Sequence, residues 1–132
     1  RVLFRSLYAY WQGNKAAFQQ KDEASLNDYI EFCANSIDLY FSAIRDAFKS
    51  SWNDPASKML SVISINGFII AFNRQLNKYG VRDYPFYSSC LRKLSIDFSK
   101  NGFPYTSSQY RKFSGRILAE AFDFTNEELE TT

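Results

Sequence analysis

Apolar and polar positions along this chain follow the three-and-four rhythm of amphipathic helices, and turn residues divide the rhythm into five stretches. The first spans about Val2 to Gln20, with Val2, Leu3, Leu7, Tyr10, Trp11 and Phe18 on one side and Gly13 weakening its middle. The second spans about Leu26 to Ser50. Its apolar stripe is Leu26, Tyr29, Ile30, Cys33, Ile37, Tyr40, Phe41, Ile44 and Phe48, and Asp28, Glu31, Asp38 and Asp46 form its polar face. Ser25 and Asp28 resemble a capping box at its start.

Trp52-Asn53-Asp54-Pro55 marks the next break. Asp54 can cap a helix and Pro55 fits a first helical position, so a third helix is expected from about Pro55 to Tyr79, ending at Gly80. Residues Met59 to Phe72 are apolar on most sides, the pattern of a helix at the centre of a bundle. A fourth helix is expected from about Pro85 to Lys100, with Tyr87, Leu91, Leu94 and Phe98 as its stripe and Asn101-Gly102 as its end. A fifth runs from about Ser107 to Phe122, capped by Thr106 or Ser107, with Tyr110, Phe113, Ile117, Leu118 and Ala121 facing inward. Thr125-Asn126-Glu127-Glu128 is a capping box for one more turn. The expected fold is all-α: a compact bundle of about five helices around a buried, apolar third helix. Residues 1–124 read as one domain and 125–132 as an acidic tail.

The 132-residue length is enough for one hydrophobic core. Aromatics make up 18% of the chain, as 13 Phe, 9 Tyr and 2 Trp, and most fall at core spacing. Cys33 and Cys90 are too far apart for a C-x-x-C motif and read as buried free thiols. The longest apolar run, Gly67 to Phe72, is far short of the ~20 residues of a membrane span. No signal-peptide cleavage pattern follows the first apolar stretch, so a cytoplasmic location is expected. The chain starts at Arg1 rather than at a methionine, which suggests a piece of a longer protein.

The net charge of +2 conceals an uneven distribution. Residues 74–116 carry nine cations against Asp83 and Asp97, whereas residues 117–132 carry five acids and no cation. The cations are Arg74, Lys78, Arg82, Arg92, Lys93, Lys100, Arg111, Lys112 and Arg116, with aromatic residues among them. Cations neutralise phosphates and exposed rings stack on bases, so this block is the candidate nucleic-acid contact, and DNA the candidate partner. The acidic tail could fold back over the block or stay solvated. Trp52, Tyr84, Phe86 and Tyr105 are the candidate interface anchors of a second reading, a protein-interaction or oligomerisation module.

Catalytic signals are missing. The chain has no His, which removes Ser-His-Asp and Cys-His pairs and any His-containing metal site. There is no P-loop or G-x-G-x-x-G. Asp83 and Asp97 are isolated acids, Ser88-Ser89 and Ser107-Ser108 have no base beside them, and the acid pairs Asp22-Glu23 and Glu127-Glu128 sit in polar surroundings. No enzymatic activity, cofactor or metal is expected.

The stretch Tyr40 to Pro55, followed by Ile65-Asn66-Gly67-Phe68-Ile69, resembles a segment of the C-terminal helical region of DGQHR-domain proteins. In that family a Tyr-x-x-Ala-Ile-x-x-x-Phe helix leads to Trp-Asn-Asp/Asn-Pro and then to a helix that is apolar in one half and contains a glycine. The resemblance implies a helical accessory domain of a bacterial DNA-associated protein, some of whose relatives occur with DNA phosphorothioation systems. The Asp-Gly-Gln-His-Arg signature is absent here, so the resemblance places it upstream, in a separate domain of the same protein. It carries over no site residue.

Overall fold

Tyr29, Cys33, Ile37, Tyr40, Ile44 and their neighbours recur every three or four positions, and this periodicity produces the longest helix, α1 (Glu23–Ala47). The computed structural model describes residues 23–106 and 108–130. The expected helix over Val2–Gln20 lies outside the described residues, as do Ser107 and the side chain of Ser25. A short turn of helix, α2 (Lys49–Trp52), follows α1 after a break at Phe48. Then come α3 (Val62–Tyr79), α4 (Tyr84–Leu91), α5 (Tyr110–Ala121) and α6 (Asn126–Glu130). The described residues contain no strand, so the fold is all-α.

The helices pack as two pairs. α4 runs antiparallel to α1, with Tyr84 beside Asp46 and Tyr87 edge-on to Tyr40. α5 runs parallel to α3: the Phe113 ring lies over Gly67 at one end, and the Tyr79 hydroxyl donates to the Phe122 carbonyl at the other. Tyr40 joins the pairs. Its ring is fully buried and stacked on Phe72 at 4.5 Å, and its hydroxyl donates to the Phe68 carbonyl at 2.9 Å. Burial pushes the phenol well above its ordinary pKa, so it serves as a neutral donor. Cys33 and Cys90 are buried free thiols in the same core.

Three boundaries differ from the sequence expectation. α3 starts at Val62, not Pro55. Residues 55–61 form turns because serine hydroxyls compete for their backbone groups. Ser57 donates to the Ser51 carbonyl, Ser61 and Ser64 both donate to that of Lys58, and Ser61 caps α3 by accepting from the Ser64 amide. Asp54 closes a local turn onto the Ala56 amide. The fourth helix stops at Leu91, and no helix continues to Lys100. Leu94 and Phe98 are buried and Ile96 half-buried, while Ser95 and Asp97 point to solvent, an alternation belonging to extended backbone. The Glu120 carboxylate accepts from the Ser95 amide, the Arg116 guanidinium donates to the Ser95 carbonyl, and the Lys58 amide donates to the Phe98 carbonyl. The fifth helix starts at Tyr110. Thr106 does not cap it: the Thr106 amide instead donates to the Gln109 side chain.

α3 is also two-sided rather than wholly interior. Ile63, Gly67, Phe68, Ala71, Phe72 and Leu76 are buried, while Val62 is 76% and Ile65 37% exposed. Gly80 ends the helix with φ 74°, a conformation that favours glycine.

Two outcomes test this packing. A methyl at position 67 would overlap the fully buried Phe113 ring. Gly67→Ala therefore lowers the melting temperature by several degrees, because overpacking of about 1–3 kcal/mol exceeds the helix-propensity gain of at most ~1 kcal/mol. Tyr40→Phe keeps the ring but loses its hydrogen bond, and the urea midpoint should fall by the equivalent of about 0.5–1.5 kcal/mol.

Candidate functional site

The nine cations of residues 74–116 are divided among several surroundings. Arg74 and Lys78, on the last turns of α3, meet the folded-back C-terminal turn. Arg74 donates to the Glu128 carbonyl at 2.7 Å, and the Lys78 ammonium pairs with the Glu128 carboxylate at 3.0 Å. Thr125 and Glu128 form the expected capping box reciprocally, amide to side chain in both directions. Asp123, in a left-handed conformation at φ 58°, turns the chain so that α6 lies back on α3, and Leu129 packs against the core. The tail therefore does fold over part of the basic block.

Of the others, Lys93 pairs with Asp123 at 3.1 Å, and Arg116 pairs with Glu120 at 2.8 Å, one helical turn away. Arg82 donates to the Tyr79 carbonyl and lies over the Phe86 ring. Arg92, Lys100, Arg111 and Lys112 are exposed and make no ion pair among the described residues. Arg92 ends α4, near Tyr84. Lys100 occupies a turn, and Arg111 and Lys112 sit on the first turn of α5. Five of the nine positions thus have partners within the chain, and the other four make no ion pair among the described residues.

The candidate anchor rings are half-buried and committed to internal contacts. The Tyr84 hydroxyl donates to the Asp46 carboxylate at 2.5 Å, which holds the Asp46 pKa below the ordinary range. Phe86 packs with Tyr79, Tyr87 and Phe122, and Tyr105 with Phe103 and Phe113. Trp52 packs against the core. Asp83 and Asp97 serve the backbone separately: Asp83 caps α4 at the Phe86 amide, and Asp97 accepts from the Ser99 amide, which lowers its pKa. No group of three or more Cys, Asp or Glu side chains converges among the described residues. Nor is any helix there long and apolar enough to cross a membrane.

The outward-facing apolar side chains lie elsewhere. Leu60 is 52% exposed, and with Val62 and Ile65 it forms a cluster at the start of α3. Leu60 and Ile65 occupy the two staple positions flanking the Ser61 cap, which gives them a local role. Val62 has none. Beside the cluster lies a depression of about 440 Å³ lined by Pro55, Ala56, Ser57, Lys58, Leu60, Ser61 and Lys100. A second depression of about 400 Å³, wholly apolar, is lined by Tyr29, Ile30, Cys33, Ala34 and Ile37 on α1. The sequence signal for the first cluster is a second stripe, Val62-Ile65-Ile69, running opposite Ile63-Gly67-Phe68. Two apolar stripes on one helix imply two contact faces.

No family model, curated protein or solved structure matches the chain.

The tail contact has a pH signature. The Thr125 amide and the Lys78 ammonium hold the Glu128 carboxyl below its ordinary pKa. A depressed folded-state pKa contributes stability that is complete above the unfolded value of about 4.3 and is lost as pH falls through the folded value. The melting-temperature advantage of the wild type over Glu128→Gln should thus be full near neutrality and shrink as pH falls below about 4.3.

Proposed function

We propose that this chain is a non-enzymatic helical interaction module that docks on another protein through the start of α3. The supporting observation is the exposure of Leu60, Val62 and Ile65, in a protein whose candidate aromatic anchors are half-buried and packed against the core. Exposed aliphatic side chains with a polar rim suit a protein contact. They contribute little to phosphate binding, which depends on grouped cations. Five of the nine candidate cations already have partners within the chain. The resemblance over residues 40–72 supports assigning the module to a bacterial DGQHR-like protein, as its C-terminal helical part.

A second reading keeps nucleic-acid contact, through Lys100, Arg111 and Lys112, which make no ion pair among the described residues. Two measurements separate the readings. A photo-crosslinking residue at position 62 of the natural protein, in its own cells, should give discrete protein adducts, and the same group at Ser89 on exposed α4 surface should not. Oligonucleotide titration at about 50 mM salt should give no saturable binding. Missing adducts at position 62 would overturn the docking proposal. So would oligonucleotide binding that weakens steeply with salt and disappears in the double variant Arg111→Glu, Lys112→Glu.

A further inference from the structure

We infer that the partner segment received at the start of α3 is acidic, with aliphatic anchors between its carboxylates. This inference rests on the interaction-module reading and specifies its ligand class. Leu60, which precedes the exposed Val62 and Ile65, lines a depression whose two charged lining residues are Lys58 and Lys100. Neither lysine has an ion-pair partner among the described residues. The depression has room for a bulky side chain, and both lysines contribute to its wall.

Helix orientation adds to the positive field. α3 and α5 are parallel, with Phe113 level with Gly67, so both helices begin at this end of the molecule. Helix N-termini carry partial positive charge, and Arg111 and Lys112 lie on the first turn of α5. The acids in the vicinity are Asp54 and Asp97. Each carboxylate already accepts a backbone amide, from Ala56 and Ser99 respectively. The wall of the depression itself carries two cations and no acid, and complementary charge selects the partner. An anionic membrane is a poorer fit, because interfacial helices insert aromatic rings and a long apolar face, and this patch has three aliphatic side chains.

Fluorescence anisotropy with three labelled synthetic 15-residue peptides tests the inference. One is amphipathic with Leu anchors and Glu flanks, one has Lys for every Glu, and one has Ser for every Leu. The Leu/Glu peptide should bind at least tenfold tighter than either control, and more weakly as salt is added. Val62→Asp should weaken it at least tenfold. That variant folds, because position 62 is largely exposed and an acid is favourable on the first turn of a helix. Lys58→Glu with Lys100→Glu should reverse the preference between the charged peptides. If the Leu/Lys peptide binds as well or better and still depends on Val62, the charge assignment is wrong and the docking reading survives. If neither charged peptide shows Val62-dependent binding, both fail. Preferential, Val62-dependent binding of phosphatidylserine vesicles or of an oligonucleotide would also overturn the inference.

Discussion

Tyr40 sits where the two helix pairs meet, and its hydroxyl dictates how they meet. A buried phenol without a hydrogen-bond partner is costly, so the ring can enter this core only where an acceptor waits. The Phe68 carbonyl, partway along α3, is that acceptor. Once the bond is made, α1 must cross α3 at this level. Stacking on Phe72 one turn further along, and the edge contact with Tyr87 on α4, follow from the same placement. Tyr87 continues the polar line inward. Its oxygen accepts from the Gln75 side chain, and the Gln75 carbonyl oxygen is buried with no partner among the described residues. The centre of the bundle is thus positioned by a few directional bonds inside a mass of rings that would tolerate many arrangements.

The C-terminal turn acts as a fixed counterion for the far end of α3. Glu128 and its backbone engage Lys78 and Arg74, and Asp123 engages Lys93. These are mostly surface contacts of small individual value. Together they offset cations at one end of the bundle, whereas Lys58, Lys100, Arg111 and Lys112 make no ion pair among the described residues. Leu60, Val62 and Ile65 lie at the start of α3, and the exposed Ile30 lies on α1.

The helices were largely legible because their stripes are long. Cys33, Tyr40 and Ile44 on α1, and Phe113, Ile117 and Leu118 on α5, are buried as their spacing predicts. The turn at Trp52–Pro55 and the helix end at Gly80 were legible from local chemistry. What escaped was decided by distant partners. Asp54-Pro55 is a sound local start signal, but Ser57, Ser61 and the Phe98 carbonyl hold the next residues in turns. Leu91, Leu94 and Phe98 fit a helix, and Leu94, Ile96 and Phe98 fit extended backbone. Glu120 and Arg116, more than 20 residues later, bind Ser95 in the extended form. For the site, the order of charges along the chain discloses the basic block and an acidic tail able to fold over it, but not that the tail engages Arg74 and Lys78 in particular. Residues 59–72 are apolar on most sides, a pattern that reads as interior and hides the outer stripe that begins at Val62.

Parallel packing of α3 and α5 also shapes how the chain reaches this fold. Two adjacent helices that run the same way cannot be joined by a tight loop. Here the chain travels from Gly80 through α4 and the extended 94–98 segment before Phe113 can settle over Gly67. Closing that circuit costs chain entropy before the contact repays it. The contact between α3 and α5 is therefore non-local, the kind of contact whose share of the whole slows folding across small proteins.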